Sequence, residues 1–69
     1  MEMNWEDGFV INIKVQDGDV VVSANREGLL SLASHFKMLA HGAVGDHFHI
    51  DQYNSLEEGS LPLIVEMIE

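Results

Sequence analysis

The segment 41–60, HGAVGDHFHIDQYNSLEEGS, carries the side chains of this chain that are best suited to chemistry. It holds three His, two Asp and two Glu within 20 residues. If its centre is a strand, His47, His49 and Asp51 share one face, with about 6.5–7 Å between successive backbone positions. Two imidazoles and a carboxylate can hold zinc or a non-haem iron, so the pattern is compatible with a metal site. The same alternation arises where polar residues face water, and on that interpretation we expect no metal and no other cofactor.

The residue types and their spacing give little support for a catalytic function. The chain has no Cys nucleophile, and it contains neither a Gly-x-Ser-x-Gly elbow nor a Gly-rich phosphate loop. The four His are candidate bases and the Glu57–Glu58 pair supplies candidate acids, but no spacing orders them into a nucleophile, a base and an orienting group. His35 is expected on the flank of a helix, and His41 near its C-terminus, where the helix dipole favours a cation. We therefore expect a protein that is not an enzyme.

Charge is the strongest compositional signal. Twelve acidic residues against three basic ones give a net charge of −9. Such a surface is repelled by nucleic acid and by anionic lipid, and it attracts basic proteins. We expect a partner-binding patch around the polar strand and the acidic loop, formed by Asp46, His47, His49, Asp51, Glu57 and Glu58.

The length of 69 residues predicts one small domain over 1–69, near the lower limit for independent folding. Its first seven residues are expected to form a loose N-terminal segment. The absence of Cys excludes disulfides and thiolate zinc sites and fits a reducing compartment. Because no apolar run has the length of a signal or a membrane span, we expect a cytoplasmic protein that makes no membrane contact.

A β-hairpin is predicted over the first third of the chain. Residues 9–15, FVINIKV, alternate between apolar and polar, and residues 20–24, VVVSA, follow after a short polar break. Asp17-Gly18 as a two-residue loop favours a type I′ turn, in which both residues need positive φ. That register places Val15, Ile13 and Ile11 opposite Val20, Val22 and Ala24, so that one face is apolar throughout.

A helix is predicted between Asn25 as N-cap and Gly42 as the residue after the C-cap. Glu27 in its first turn complements the positive end of the helix dipole. Apolar residues recur at spacings of three and four, which predicts one broad stripe facing the core. That stripe consists of Leu29, Leu32, Ala33, Phe36, Leu39 and Ala40.

Two more strands complete the predicted order β-β-α-β-β. Residues 47–51, HFHID, turn Phe48 and Ile50 to one side, and 61–69, LPLIVEMIE, form the last strand with Pro62 near its start. We expect an α+β fold: a four-stranded, mainly antiparallel sheet with the helix packed on one face. The helix-free face would expose Val10, Val21, Ile64 and Ile68, which suggests a homodimer or another partner there.

Three strings of residues resemble a known family when they are taken in order and at their spacing. They are NREGLLSLASH at 25–35, HFHID at 47–51 and NSLEEGS at 54–60, and the similarity runs from about Ser23 to Val65. Together they resemble the bacterial immunity protein 32 family of polymorphic toxin systems. The resemblance implies a protein encoded beside a toxin, which it neutralises by direct binding in the producing cell, and it implies no catalytic residues.

The leading hypothesis is therefore a stoichiometric inhibitor of a cognate toxin. A basic toxin, such as a nuclease, would suit a partner of charge −9. Two alternatives remain open on the sequence: a small metal-binding domain that uses His47, His49 and Asp51, and a structural homodimer.

Overall fold

A computed structural model describes residues 4–69, which form two β-hairpins joined by one helix. The elements are β1 (Ile11–Gln16), β2 (Asp19–Ala24), α1 (Arg26–Ala40), β3 (His47–Ile50) and β4 (Leu63–Glu66). Residues 1–3 of the expected loose N-terminal segment lie outside the described residues. Within the remainder of that segment, Trp5 stacks on Phe9 and its ring meets the ring of His35 edge-on, with centroids 4.6 and 4.3 Å apart.

The first hairpin has the predicted register. Val15 pairs with Val20, Ile13 with Val22 and Ile11 with Ala24 in an antiparallel ladder. Asp17 and Gly18 have φ values of +51° and +84°, as a type I′ turn requires. Ile11 and Ile13 are buried, but the apolar face does not stay in the core along its whole length. Val15, Val20 and Val22 are 57%, 63% and 44% exposed.

The start of the helix is fixed by Asn25 and Gly28. The Asn25 side-chain oxygen accepts hydrogen bonds from the Gly28 N–H (2.8 Å) and from the Val10 N–H (3.0 Å), so the cap also holds the chain before β1. A Cβ on Gly28 would lie only 2.6 Å from the Val10 carbonyl oxygen and 2.9 Å from Ile11 Cγ1. Gly28 therefore allows the first turn of the helix to lie directly against the β1–β2 hairpin.

The predicted core-facing stripe of the helix is wrong in orientation. The residues that the helix buries are Gly28, Ser31, Leu32, His35 and Leu39. Of the predicted stripe only Leu32 and Leu39 are buried, whereas Leu29 and Phe36 are 55% and 47% exposed. Small and polar residues share the buried face because the hairpin approaches closely at Gly28 and an aromatic cluster surrounds His35. A stripe of apolar residues is consequently left on the outside of the helix.

The second hairpin follows the predicted alternation. Phe48 and Ile50 are buried, and Leu63, Val65 and Met67 pack against the same core. Pro62 immediately precedes β4, as expected for a residue that has no N–H to donate. Backbone hydrogen bonds from Gly45 to Met67 and from Met67 to Asp46 continue the pairing beyond the strand ends.

The single four-stranded sheet that we expected is not formed. Each hairpin is a separate two-stranded antiparallel sheet. The outer edge of β1, which a third strand would need, is occupied by the loop 51–62. Glu57 N–H donates to the Ile11 carbonyl (2.9 Å) and Leu61 N–H to the Ile13 carbonyl (2.7 Å). An irregular segment thus satisfies the backbone of β1 and separates the two sheets.

One hydrophobic core joins the helix to both hairpins. Its buried members are Ile11, Ile13, Leu32, Leu39, Phe48, Ile50 and Leu56. Leu56 comes from the loop 51–62, so burial as well as hydrogen bonding holds that loop in place. Within residues 4–69, no helix is both long enough and apolar enough to cross a membrane.

Candidate binding surface

Asp46 stabilises the loop that follows the helix. Its Oδ2 accepts a hydrogen bond from Ala43 N–H at 2.8 Å. A Cβ on Gly42, the residue after the C-cap, would lie 2.5 Å from the same Oδ2, so a side chain there would require the Asp46 carboxylate to shift. With Lys37, Met38 and His41, these two residues line a groove of about 420 Å³ at the C-terminal end of the helix. Asp46 is exposed at this groove, but one of its carboxylate oxygens is engaged within its own loop.

His47 and His49 lie side by side on the outer face of β3. Their ring centroids are 4.9 Å apart in an edge-on arrangement, and both residues are exposed. His47 Nδ1 lies 3.1 Å from the Gly45 carbonyl oxygen, a contact that positions this ring. Across the hairpin they face Glu66 and Ile64. The predicted polar face of this strand is therefore present, with one carboxylate and one apolar side chain beside the two imidazoles.

Asp51 does not continue that face. β3 ends at Ile50, and the Asp51 carboxylate instead accepts hydrogen bonds from Tyr53 N–H (2.9 Å) and Asn54 N–H (3.1 Å). These bonds hold the carboxylate in the turn that opens the loop 51–62. Among the residues that the structure describes, no group of three His, Cys, Asp or Glu is placed to hold a metal ion. The alternative ligand set of His47, His49 and Asp51 is consequently not assembled.

Glu57 and Glu58 are exposed on a loop that is anchored on both sides. The Glu57 N–H is bonded to β1, and Ser60 accepts a hydrogen bond from Ile13 N–H at 3.2 Å. A hydrogen bond from Gly59 N–H to the Gln52 side chain closes the loop across its middle. The backbone that carries the two carboxylates is thus held in place by hydrogen bonds.

His35, like Asp51, lies in a different place from the one predicted from the sequence. It was expected on the helix flank, but it is fully buried between Trp5 and Phe48. Within residues 4–69, neither ring nitrogen has a partner with hydrogen-bond geometry. Burial lowers the pKa of this imidazole below the ordinary 6.5, and the nearby backbone of Asn4 opposes the shift in part. The signal that could have found it is the spacing of Ser31, His35 and Leu39 on one side of the helix.

Apolar side chains account for much of the remaining surface. Of the four apolar residues expected to be exposed, Val10, Ile64 and Ile68 are 40%, 62% and 73% exposed, whereas Val21 is half-buried. They are divided between the two hairpins and do not lie on one continuous sheet. Leu29 and Phe36 add apolar surface on the helix. Single exposed apolar residues are ordinary in folded proteins.

Fold and composition together define a small, acidic α+β protein with exposed charged and apolar side chains. The model of the family Immunity protein 32 matches residues 19–67, which are 49 of the 69 residues, and the chain belongs to that family. The match includes β2, the helix and the whole second hairpin, in agreement with the resemblance seen from about Ser23 to Val65. No curated protein and no solved structure matches the chain significantly.

Proposed function

We propose that this protein is an immunity protein that neutralises a basic cognate toxin by direct, stoichiometric binding in the cytoplasm of the producing cell. The observation that carries the proposal is the family match over residues 19–67. The charge of −9 supports a basic partner, because opposite charges raise the rate of encounter and add specificity. A nuclease toxin would supply such a surface. Inhibition would act by occlusion and would need no chemistry from this chain.

Glu57 and Glu58 are the acidic residues best placed to meet such a toxin. Both are exposed, and both stand on the loop that Ser60 and Leu56 hold against the core. His47 and His49 provide a second polar patch, on the outer face of β3. Asp46 and Asp51 would contribute charge to the field around these patches, although their carboxylates also stabilise their own turns.

The test begins with capture of the toxin from source cells by the tagged protein, at low and at moderate salt. A single basic protein retained near one to one should then be inhibited in its own assay, with a titration end point close to equimolar. An end point far below one equivalent, or a captured protein whose activity is unchanged, would overturn the proposal.

Charge-reversal variants test the role of the acidic loop. Glu57→Lys with Glu58→Lys changes the net charge from −9 to −5, and so does the control, Asp7→Lys with Glu69→Lys. All four positions are exposed. We expect the loop variant to associate about tenfold more slowly at low salt, and the control to change much less. Equal losses in the two variants would mean that only total charge matters.

Self-association through the outer face of β4 is the second candidate. Ile64, in β4, and Ile68, two residues beyond its end, are 62% and 73% exposed, which supports a contact between two copies. Sedimentation over a wide range of concentrations would detect such a homodimer. Ile64→Lys with Ile68→Lys should abolish it without changing the melting temperature extrapolated to low concentration. A wild-type protein that stays monomeric at high concentration would exclude this second candidate.

A further inference from the structure

The two edges of the β1–β2 sheet differ in how far their backbone groups are hydrogen-bonded to other parts of the chain. In an antiparallel ladder, alternate residues direct their N–H and C=O groups outward. In β1 these are Ile11, Ile13 and Val15, and the loop 51–62 bonds to Ile11 O, Ile13 N and Ile13 O. One edge of the sheet is thereby covered over much of its length.

The matching groups on the other edge belong to Val20 and Val22 of β2. The same register directs their N–H and C=O groups away from β1. Neither residue has a backbone partner outside that ladder in the part of the chain that the structure describes. Residues 4–69 therefore leave four hydrogen-bonding groups of this edge without a partner, over about 7 Å of strand.

Nothing in β2 protects this edge from pairing. Proteins usually blunt an exposed edge with Lys, Pro or a bulge. The strand reads DVVVSA, without Lys, Arg or Pro, and its pairing with β1 is unbroken. The side chains beside the open groups are apolar and exposed: Val20 by 63% and Val22 by 44%, with Val15 next to them on the same face.

We propose that the open edge of β2 is where an extended, basic segment of the partner protein adds as a further strand. This inference rests on the proposed function, of which it names the contact. The charge is complementary, because Asp17 and Asp19 stand at one end of the edge on a chain of net charge −9. The backbone groups of Val20 and Val22 supply the hydrogen bonds, and their side chains supply the apolar contact. A second copy of this chain is disfavoured, because it would bring a further −9 to the same contact.

A synthetic peptide of alternating Lys and Val, seven residues long, is the first probe, with alternating Glu and Val as its control. Amide resonances of the labelled protein report where the peptide binds. We expect the largest shifts, and slowed hydrogen exchange, at Val20 and Val22 with the Lys peptide, and no such change with the Glu peptide. Shifts centred on Glu57 and Glu58, or spread over all acidic residues, would overturn the proposal.

Backbone N-methylation tests the hydrogen bonds without changing a side chain, and a chain of 69 residues is within reach of chemical synthesis. Methylation at Val22 removes an outward N–H from the open edge, and methylation at Val15 does the same on the opposite edge. We expect the first to weaken binding of the peptide and of the captured toxin at least about tenfold, and the second less than about twofold. Equal effects, with both proteins folded by circular dichroism, would refute the assignment of the edge.

The outcomes separate this inference from the proposed function. If the Val22-methylated protein neutralises the captured toxin as well as the wild type does, the edge assignment fails and the immunity function stands. If the peptide adds at Val20 and Val22 but no toxin is neutralised, the edge stands as a strand-binding site and the immunity function fails. A wild-type dimer that methylation at Val22 abolishes would identify a second copy as the occupant and overturn the proposal.

Discussion

The hydroxyl of Ser60 accepts a hydrogen bond from the backbone N–H of Ile13 over 3.2 Å, between residues 47 positions apart in the sequence. Ser60 is buried, and Ile13 is among the most deeply buried residues. A side chain from a loop thus takes the place that a strand carbonyl would hold at the edge of β1. This bond, with the two backbone bonds beside it, fixes the acidic loop to the first hairpin.

Ser60→Ala should destabilise the protein by about 1–3 kcal/mol, because it leaves the buried Ile13 N–H without a partner. Urea unfolding measures this change as a lower midpoint with an unchanged slope. Ser55→Ala is the matched control, since its hydroxyl donates to the exposed Asn54 side chain and its loss should cost less than about 0.5 kcal/mol. If the two variants are equally stable, Ser60 does not fasten the loop.

Gly28→Ala should also destabilise, although alanine is the better helix former by about 1 kcal/mol. The added methyl would lie 2.6 Å from the Val10 carbonyl oxygen and 3.1 Å from the Ala24 Cβ, so the first helical turn must move away from the hairpin. A net loss of about 1–3 kcal/mol is expected. Ser34→Ala, six residues further along the same helix, should be neutral or slightly stabilising. A gain in stability at position 28 would contradict the close approach.

The first hairpin was predictable because its determinants are local. Asp17-Gly18 sets the turn, and the alternation of side chains permits only one register. The four-stranded sheet was a wrong prediction for the opposite reason. Whether β1 meets a strand or a loop depends on contacts with Glu57, Ser60 and Leu61, far along the chain. The periodicity of the sequence does not indicate that a serine hydroxyl will bond to the edge of β1 in place of a neighbouring strand.

The candidate binding surface was also predicted only in part. The shared face of His47 and His49 follows from strand alternation. Asp51 was placed wrongly, because an Asp followed by polar residues can bond to its own turn, and that local bond ends the strand. The prediction of which helix face is buried was wrong, because the hydroxyl of Ser31 is hydrogen-bonded within the fold. Its hydroxyl donates to the Glu27 carbonyl and accepts from Glu6 N–H, so a polar residue lies in the core at little cost.

Truncation of two leucines on the helix tests which face is buried. Leu32 is 7% exposed and Leu29 is 55% exposed, although both belong to the stripe predicted from the sequence. We expect Leu32→Ala to cost about 2–5 kcal/mol, from lost burial and the cavity that remains. Leu29→Ala should cost less than about 1 kcal/mol, because its side chain is already half in water. Similar losses at the two positions in urea unfolding would restore the predicted orientation.

His35 should make the protein less stable as the pH falls below about 6.5. Burial against Trp5 and Phe48 holds its pKa in the folded state below the 6.5 of the unfolded chain. The unfolded state therefore binds more protons, and the free energy of unfolding falls as the pH drops below 6.5, until the folded pKa is reached. The slope from this one group is at most about 1.4 kcal/mol per pH unit. Unfolding by urea at a series of pH values measures it.

His35→Phe and His41→Phe separate this effect from other titrations. In the described part of the chain, the rings of Trp5 and Phe48 and the Asn4 backbone lie beside His35, so removing its imidazole should abolish the slope above pH 5, where most carboxylates stay ionised. His41 is exposed at the end of the helix, and its replacement should leave the slope in place. Fluorescence of Trp5, the one tryptophan of the chain, follows the same unfolding transition from beside the His35 ring. If the slope persists in His35→Phe, the pH dependence of the free energy of unfolding has another source, and the buried imidazole does not contribute to it.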